Sequence, residues 1–151
     1  MENNYEVIYE GFFLPTLRKY TTNYSIANSM KKTLENKVAN LHVTTKFKPE
    51  TSSQNFYGYH AVVRLVGYGN DSNNEGYLVE LDDCDDEFIR ETFNSIKCPH
   101  ITTSYSAESK PVNTSNLTFD PMPEDEHLDL ILVFGAFVKD KNDGKTKFVF
   151  Q

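Results

Sequence analysis

The chain has 151 residues, 38% of them hydrophobic and 13% aromatic, which suits one compact domain over 1–151 with its own core and excludes a disordered segment. A net charge of −7 argues against a protein that tracks a long nucleic-acid backbone, because such proteins need a basic surface. No apolar run approaches the roughly 20 residues that cross a bilayer, and the opening Met-Glu-Asn-Asn-Tyr lacks the basic and apolar regions of a signal peptide, so a soluble, intracellular protein without a membrane partner is expected.

Tyr5 to Leu14 is rich in Val, Ile, Tyr and Phe and ends at Pro15, the pattern of a strand and a break. From Ser25 to Val38, Ile26, Met30, Leu34 and Val38 recur every fourth residue behind a capping serine, which predicts an amphipathic helix. Leu41 to Phe47 reads as a strand with Leu41, Val43 and Thr45 on one face and His42, Thr44 and Lys46 on the other. Thr51 to Asn55 is loop-like. Tyr57 to Tyr68 and Tyr77 to Leu81 read as a hairpin around the turn Gly69 to Gly76. The aspartates between Asp82 and Asp86 precede Phe88, Ile89, Phe93 and Ile96, a helix with an acidic first turn that Pro99 stops. His100 to Tyr105 is a further short strand. The polar stretch through Lys110, Pro111 and Asn113 and the run Pro121 to Glu126 are loops. Leu128 to Val138 is the most apolar strand, and Asn142-Asp143-Gly144 returns the chain as Lys147 to Phe150. Strands with two separated helices predict an α+β fold of two similar halves.

Charge is unevenly placed. Seven bases against one acid give Leu17 to Lys48 a net +6, whereas nine acids against one base give Asn70 to Glu91 a net −8. Two ordinary solvated faces account for this, and a local positive field around a small anion is the sharper reading. Cys84 and Cys98 form no Cys-x-x-Cys pair and support neither a zinc site nor a disulfide framework.

The strongest feature is an internal echo. Leu41-His42-Val43-Thr44-Thr45 and Pro99-His100-Ile101-Thr102-Thr103 share His, a β-branched residue, Thr and Thr, with the histidines 58 residues apart. Each motif follows a predicted helix and sets an imidazole and a hydroxyl on one face of a strand, about 6.5 to 7 Å apart along it. One such motif is common by chance; two among four histidines in the same context are not. In-line displacement at phosphorus needs a base on the attacking side and an acid on the leaving side. An imidazole with a pKa of about 6.5 serves as either. The Thr44 and Thr102 hydroxyls would stabilise the non-bridging oxygens, and the arrangement requires no metal or other cofactor. His60 and His127 have no partnered threonine and are assigned structural or surface roles.

These paired His-x-Thr motifs, in a bilobal α+β domain of this size, resemble the 2H phosphoesterases. The strand Tyr9-Glu10-Gly11-Phe12-Phe13, the motif His100-Ile101-Thr102-Thr103-Ser104 and Lys110-Pro111-Val112 are most similar to the phage anti-CBASS phosphodiesterases of that superfamily. The resemblance implies two pseudo-symmetric halves, each giving a His-x-Thr strand to a central cleft. It implies a phosphodiesterase that degrades cyclic di- and trinucleotide messengers, such as 3′,3′-cyclic GMP-AMP and cyclic tri-AMP, in the cytoplasm of an infected bacterium. His42 and His100 would be the acid–base pair, and Thr44 and Thr102 would hold the phosphate. Tyr9 and Phe12 would stack bases, Glu126 would read a base edge, and Lys46 and Lys110 would add positive charge. Tyr57, Tyr59, Tyr68 and Tyr105 are rival platforms, and core packing is the competing role for every one of these aromatics. Two other functions remain open: an RNA-end 2′,3′-cyclic phosphodiesterase of the same superfamily, and a sponge that binds nucleotides without turnover.

Overall fold

The β-branched and aromatic runs form strands β1 (Tyr5–Phe13), β3 (His42–Phe47), β4 (His60–Asn70), β5 (Asn74–Cys84), β6 (His100–Tyr105), β8 (Leu128–Asp140) and β9 (Thr146–Val149). The two-residue pieces β2 (Asn36–Lys37) and β7 (Asp120–Pro121) complete a nine-stranded sheet. The computed structural model describes residues 5–15, 21–51 and 53–149; Leu17, Arg18, Lys19 and Phe150 lie outside them. Strand order is β2-β6-β5-β4-β8-β1-β3, with β7 on β4 and β9 on β8, and each of these pairings is antiparallel. With helices α1 (Thr21–Ser29) and α2 (Glu87–Asn94) this is an α+β fold.

Helix α2 begins where the acidic run predicts. The Asp86 side chain accepts from Phe88 N at 2.8 Å, which satisfies one of the free amides of the first turn. The helix ends at Asn94, before Pro99 is reached. Its Ile89 and Phe93 are buried, and Phe93 meets Phe12 with ring centroids 5.7 Å apart while Phe12 meets Phe134 at 5.3 Å. Burying a side chain of this size contributes roughly 1.5–3 kcal/mol, so this contact anchors the helix to β1 and β8.

The helix expected over Ser25 to Val38 is displaced. It ends at Ser29, and beyond it the residues alternate between half-buried and exposed, as in extended chain. The reason lies elsewhere in the sequence. Thr33 N donates to Glu75 Oε1 at 2.6 Å, Leu34 N to Ser104 Oγ at 3.2 Å and Val38 N to Thr103 O at 2.9 Å. These amides cannot also serve an i to i−4 ladder. A weak helical pattern therefore loses to distant partners.

Two strand pairs repeat one another. On β1 and β3, Phe13 pairs with His42, Phe12 with Val43, Gly11 with Thr44 and Glu10 with Lys46. On β5 and β6, Leu78 pairs with His100, Tyr77 with Ile101, Gly76 with Thr102 and Glu75 with Ser104. In both, one extra residue, Thr45 or Thr103, bulges out where the register shifts. In both, the glycine permits close approach: a Cβ on Gly11 would stand 2.5 Å from Val43 O, and one on Gly76 would stand 2.5 Å from Ile101 O. Gly11→Ala and Gly76→Ala are each expected to cost roughly 1–3 kcal/mol through overpacking, read from urea denaturation midpoints. An unchanged midpoint in either would contradict the closeness of these strands.

Candidate active site

His42 and His100 open β3 and β6 in matching fashion. His42 Nδ1 lies 2.8 Å from Asn40 O and His100 Nδ1 lies 2.7 Å from Cys98 O, in each case the carbonyl two residues earlier. A carbonyl can only accept, so Nδ1 carries a proton and donates in either charge state. Nε2 is then the atom that gains or loses one. Strands β3 and β6 come within 8 Å of each other between Cα atoms although no ladder joins them.

Both imidazoles are held below their ordinary pKa. Burial is the largest influence on His42; the Asn40 hydrogen bond opposes it, and the nearby charge of His100 lowers the value further. For His100, burial again outweighs the opposing hydrogen bond from Cys98. The surroundings differ in one respect. His42 stacks on Tyr9 at a centroid distance of 5.1 Å and lies against Phe13 at 5.5 Å, and these two rings continue into Phe137 and Phe148. His100 has Leu78 opposite it instead.

The threonines also differ. Thr44 is exposed and its hydroxyl has no partner among the described residues. The Thr102 hydroxyl is hydrogen-bonded to Thr114 Oγ1 at 2.8 Å and to Pro111 O at 3.2 Å, in the 3₁₀ turn Pro111–Asn116. Thr102 must release one of these bonds before it can donate to a ligand.

The bulge changes the face of one expected site residue and reveals another. Residues directly opposite in an antiparallel pair share a face. Lys46, opposite the buried Glu10, therefore turns away from His42 and Thr44, contrary to the simple alternation. Phe47, opposite Tyr9, rejoins the histidine face and is 66% exposed there. The equivalent residue of β6, five after its histidine, is the half-buried Tyr105. The full echo is thus His, β-branched, Thr, Thr, any residue, aromatic, with a Glu-Gly dipeptide on each neighbouring strand. Both parts were open to inspection in the sequence.

The remaining expectations divide. Phe12 is fully buried between Phe93 and Phe134 and has no ring face to offer a base. Tyr57 is buried too, and its hydroxyl donates to Glu10 Oε2 at 2.6 Å. Tyr9 supports the His42 ring, and burial pushes its phenol up to about 12. Lys110 is exposed at the start of the turn that holds Thr102. Glu126 is exposed in the 3₁₀ turn Glu124–Glu126, with no hydrogen bond to either imidazole. His60 Nδ1 pairs with Asp85 at 3.0 Å and His127 Nε2 with Met122 O at 2.9 Å, the tied-off state expected of structural histidines. Cys84 and Cys98 are free thiols. Among the described residues no three His, Cys, Asp or Glu side chains gather as a metal site would require, and no helix is long and apolar enough to cross a membrane. Comparison with protein-family models and with curated proteins finds no match to this chain.

Because both folded-state pKa values lie below the unfolded value of about 6.5, the unfolded chain binds more protons at mildly acid pH. The stability these sites support is complete above about pH 6.5 and is lost as pH falls through the lowered values. Histidine NMR titration is expected to give midpoints below 6.5 for His42 and His100, with both rings in the Nδ1–H tautomer. An Nε2–H tautomer at either would contradict the geometry.

Proposed function

We propose that the chain is a phosphodiesterase of the 2H phosphoesterase type that cleaves the 3′,5′-linkages of cyclic di- and trinucleotides without a metal. The reading carries with it the family's bilobal arrangement, in which the β1–β3 and β5–β6 pairs face each other across a cleft. It also carries the biological role that the resemblance to phage anti-CBASS protein 1 implies: 3′,3′-cyclic GMP-AMP and cyclic tri-AMP are removed in the infected bacterial host before they activate CBASS immunity. One observation supports the chemistry above all others. Two imidazoles, each with Nδ1 fixed by the carbonyl two residues back, present Nε2 from strands that approach one another, and the charge of one is felt at the other.

The reaction follows from that pair. One neutral imidazole takes the proton of a ribose 2′-hydroxyl at Nε2, and the 2′-oxygen attacks the adjacent phosphorus. The bond from phosphorus to the 5′-oxygen breaks, and the other imidazole, protonated, gives its Nε2 proton to that leaving oxygen. A 2′,3′-cyclic phosphate results, which water can open to a 3′-phosphate with the two roles exchanged. Lowered pKa values keep a neutral base available near pH 7. Thr44 is the readier donor to a non-bridging oxygen, since its hydroxyl is uncommitted. Phe47 and Tyr105, at equivalent positions beyond the two threonines, suit the two nucleobases that flank one phosphodiester.

Incubation with 3′,3′-cyclic GMP-AMP or cyclic tri-AMP in EDTA, followed by mass spectrometry, is expected to give linear products, and 2′-deoxy analogues should stay intact. His42→Ala and His100→Ala should each lower kcat at least about 10²- to 10⁴-fold while remaining folded; full turnover by either variant sinks the assignment. Preferential opening of RNA 2′,3′-cyclic ends would select the other enzyme of the superfamily, and recovery of unaltered bound ligand would select a sponge. Phe47→Ala should raise KM by about 5- to 100-fold with kcat little changed, because base stacking is worth roughly 1–3 kcal/mol. Phe47→Tyr should restore it.

A further inference from the structure

The two repeated strand pairs differ at one place, behind the bulge. In the β5–β6 pair the buried Glu75 is fully engaged. Its Oε2 accepts from Tyr68 Oη, and its Oε1 accepts from Thr33 N at 2.6 Å, Ser104 Oγ at 2.7 Å and Thr33 Oγ1 at 3.0 Å. The bulge residue Thr103 donates through Oγ1 to Lys31 O at 2.7 Å. The chain segment that supplies these groups runs on as β2, where Asn36 and Lys37 pair with Tyr105 and Ser104, and Val38 N donates to Thr103 O. Residues 31–38 thus fill a slot behind the bulge and then extend the sheet along the outer edge of β6.

In the β1–β3 pair no described residue fills the same slot. Glu10 is 1% exposed, and its Oε2 accepts from Tyr57 Oη and Ser53 N, but among the described residues no donor reaches Oε1. Thr45 Oγ1 is the one buried side-chain oxygen or nitrogen without a partner among the described residues. A cavity of about 200 Å³ lies there, lined by Glu10, Thr45, Lys46 and Ser53 and by Thr92 and Ser95 from α2 and its end. The outer edge of β3, equivalent to the edge that β2 covers on β6, pairs with no strand among the described residues. Chain length explains the difference. The connection from α1 to β3, residues 30–41, has twelve residues, whereas that from α2 to β6, residues 95–99, has five. The second connection is too short to do for Glu10 what the first does for Glu75.

We propose that the slot beside Glu10 and the open edge of β3 together bind an extended peptide segment of a partner protein, in the way residues 31–38 bind Glu75 and β6. The peptide supplies a carbonyl to Thr45 Oγ1. Two residues later a serine or threonine gives its N–H and O–H to Glu10 Oε1. Further on, its backbone adds a strand beside Lys46 and Phe47, the main-chain pairing providing affinity and the hydroxyl residue providing register. The slot lies on the Glu10 and Lys46 side of β3, the face turned away from His42 and Thr44, and does not depend on the chemistry of the imidazoles.

The probe is a synthetic peptide with the sequence of residues 30–38, Met-Lys-Lys-Thr-Leu-Glu-Asn-Lys-Val, titrated into the ¹⁵N-labelled full chain. Saturable amide shifts are expected at Thr45, Lys46, Phe47 and Ser53. Thr45→Val should weaken binding about tenfold, the effect of one lost hydrogen bond in a buried setting, and so should a threonine-to-valine change in the peptide. Glu10→Gln should weaken it further. Thr45→Val removes a hydroxyl that has no partner, so the variant should fold at least as stably as the parent, whereas Thr103→Val should be destabilised. Absence of binding at millimolar peptide would overturn the proposal. So would shifts centred on Tyr68 and Ser104, which would mean that the peptide displaces the chain's own segment, or binding indifferent to Thr45→Val.

Discussion

A single extra residue after each His-x-Thr governs the geometry of this molecule. Thr45 and Thr103 interrupt the alternation of β3 and β6, so that the fourth residue of each motif turns inward and the aromatic two positions later returns to the histidine face. A bulge needs something opposite that tolerates the kink, and Gly11 and Gly76 provide it by leaving no Cβ to strike the neighbouring carbonyl. Behind each glycine sits a buried glutamate. Histidine, threonine, bulge, glycine and glutamate form one connected device, and the chain contains it twice.

The carboxylates show why the device is expensive to build and hard to alter. Removing an ionised group from water is costly unless several donors replace the lost hydration. Burial alone would push Glu75 up, and it is the largest single influence; the hydrogen bonds from Thr33 N, Tyr68, Ser104 and Thr33 Oγ1 together outweigh it and hold the carboxyl below its usual value. The cost reappears at Tyr68, whose phenol is driven up to about 12 by burial first and then by the bond to Glu75. Tyr57 is raised in the same way beside Glu10. A carboxylate with this many partners fixes the loops that approach it, and through Ser104 it fixes the strand on which Thr102 stands.

Much of this was readable in the sequence, and the failures have identifiable causes. Strands β1 and β8 followed from β-branched, aromatic and apolar runs, β3 and β6 from the placing of imidazole and hydroxyl on one face, β9 from its turn residues, α2 from its acidic first turn, and the candidate histidines from a repeated word. The first helix was misplaced because its apolar spacing is genuine while its amides answer to Glu75, Ser104 and Thr103, residues 42 to 70 positions away. Lys46 was assigned to the wrong face because alternation assumes an unbroken ladder. The corrective signal was present: Glu-Gly occurs once in each strand that faces a His-x-Thr, and glycine inside a strand commonly marks a bulge. Phe12 was expected to stack a base by resemblance alone, and it faces the core because a strand turns successive side chains to opposite sides.

The segment 31–38 has a consequence for how the protein comes into being. It belongs by sequence to the first strand pair but completes the second, through Glu75, Thr103 and Ser104. On a ribosome, where the N-terminus appears first, these residues must wait for partners on β5 and β6 that are synthesised some forty to seventy positions later. The second copy of the motif therefore leans on a segment that precedes the first His-x-Thr in the chain, and a cut between the two copies would leave the buried Glu75 without its Thr33 donors.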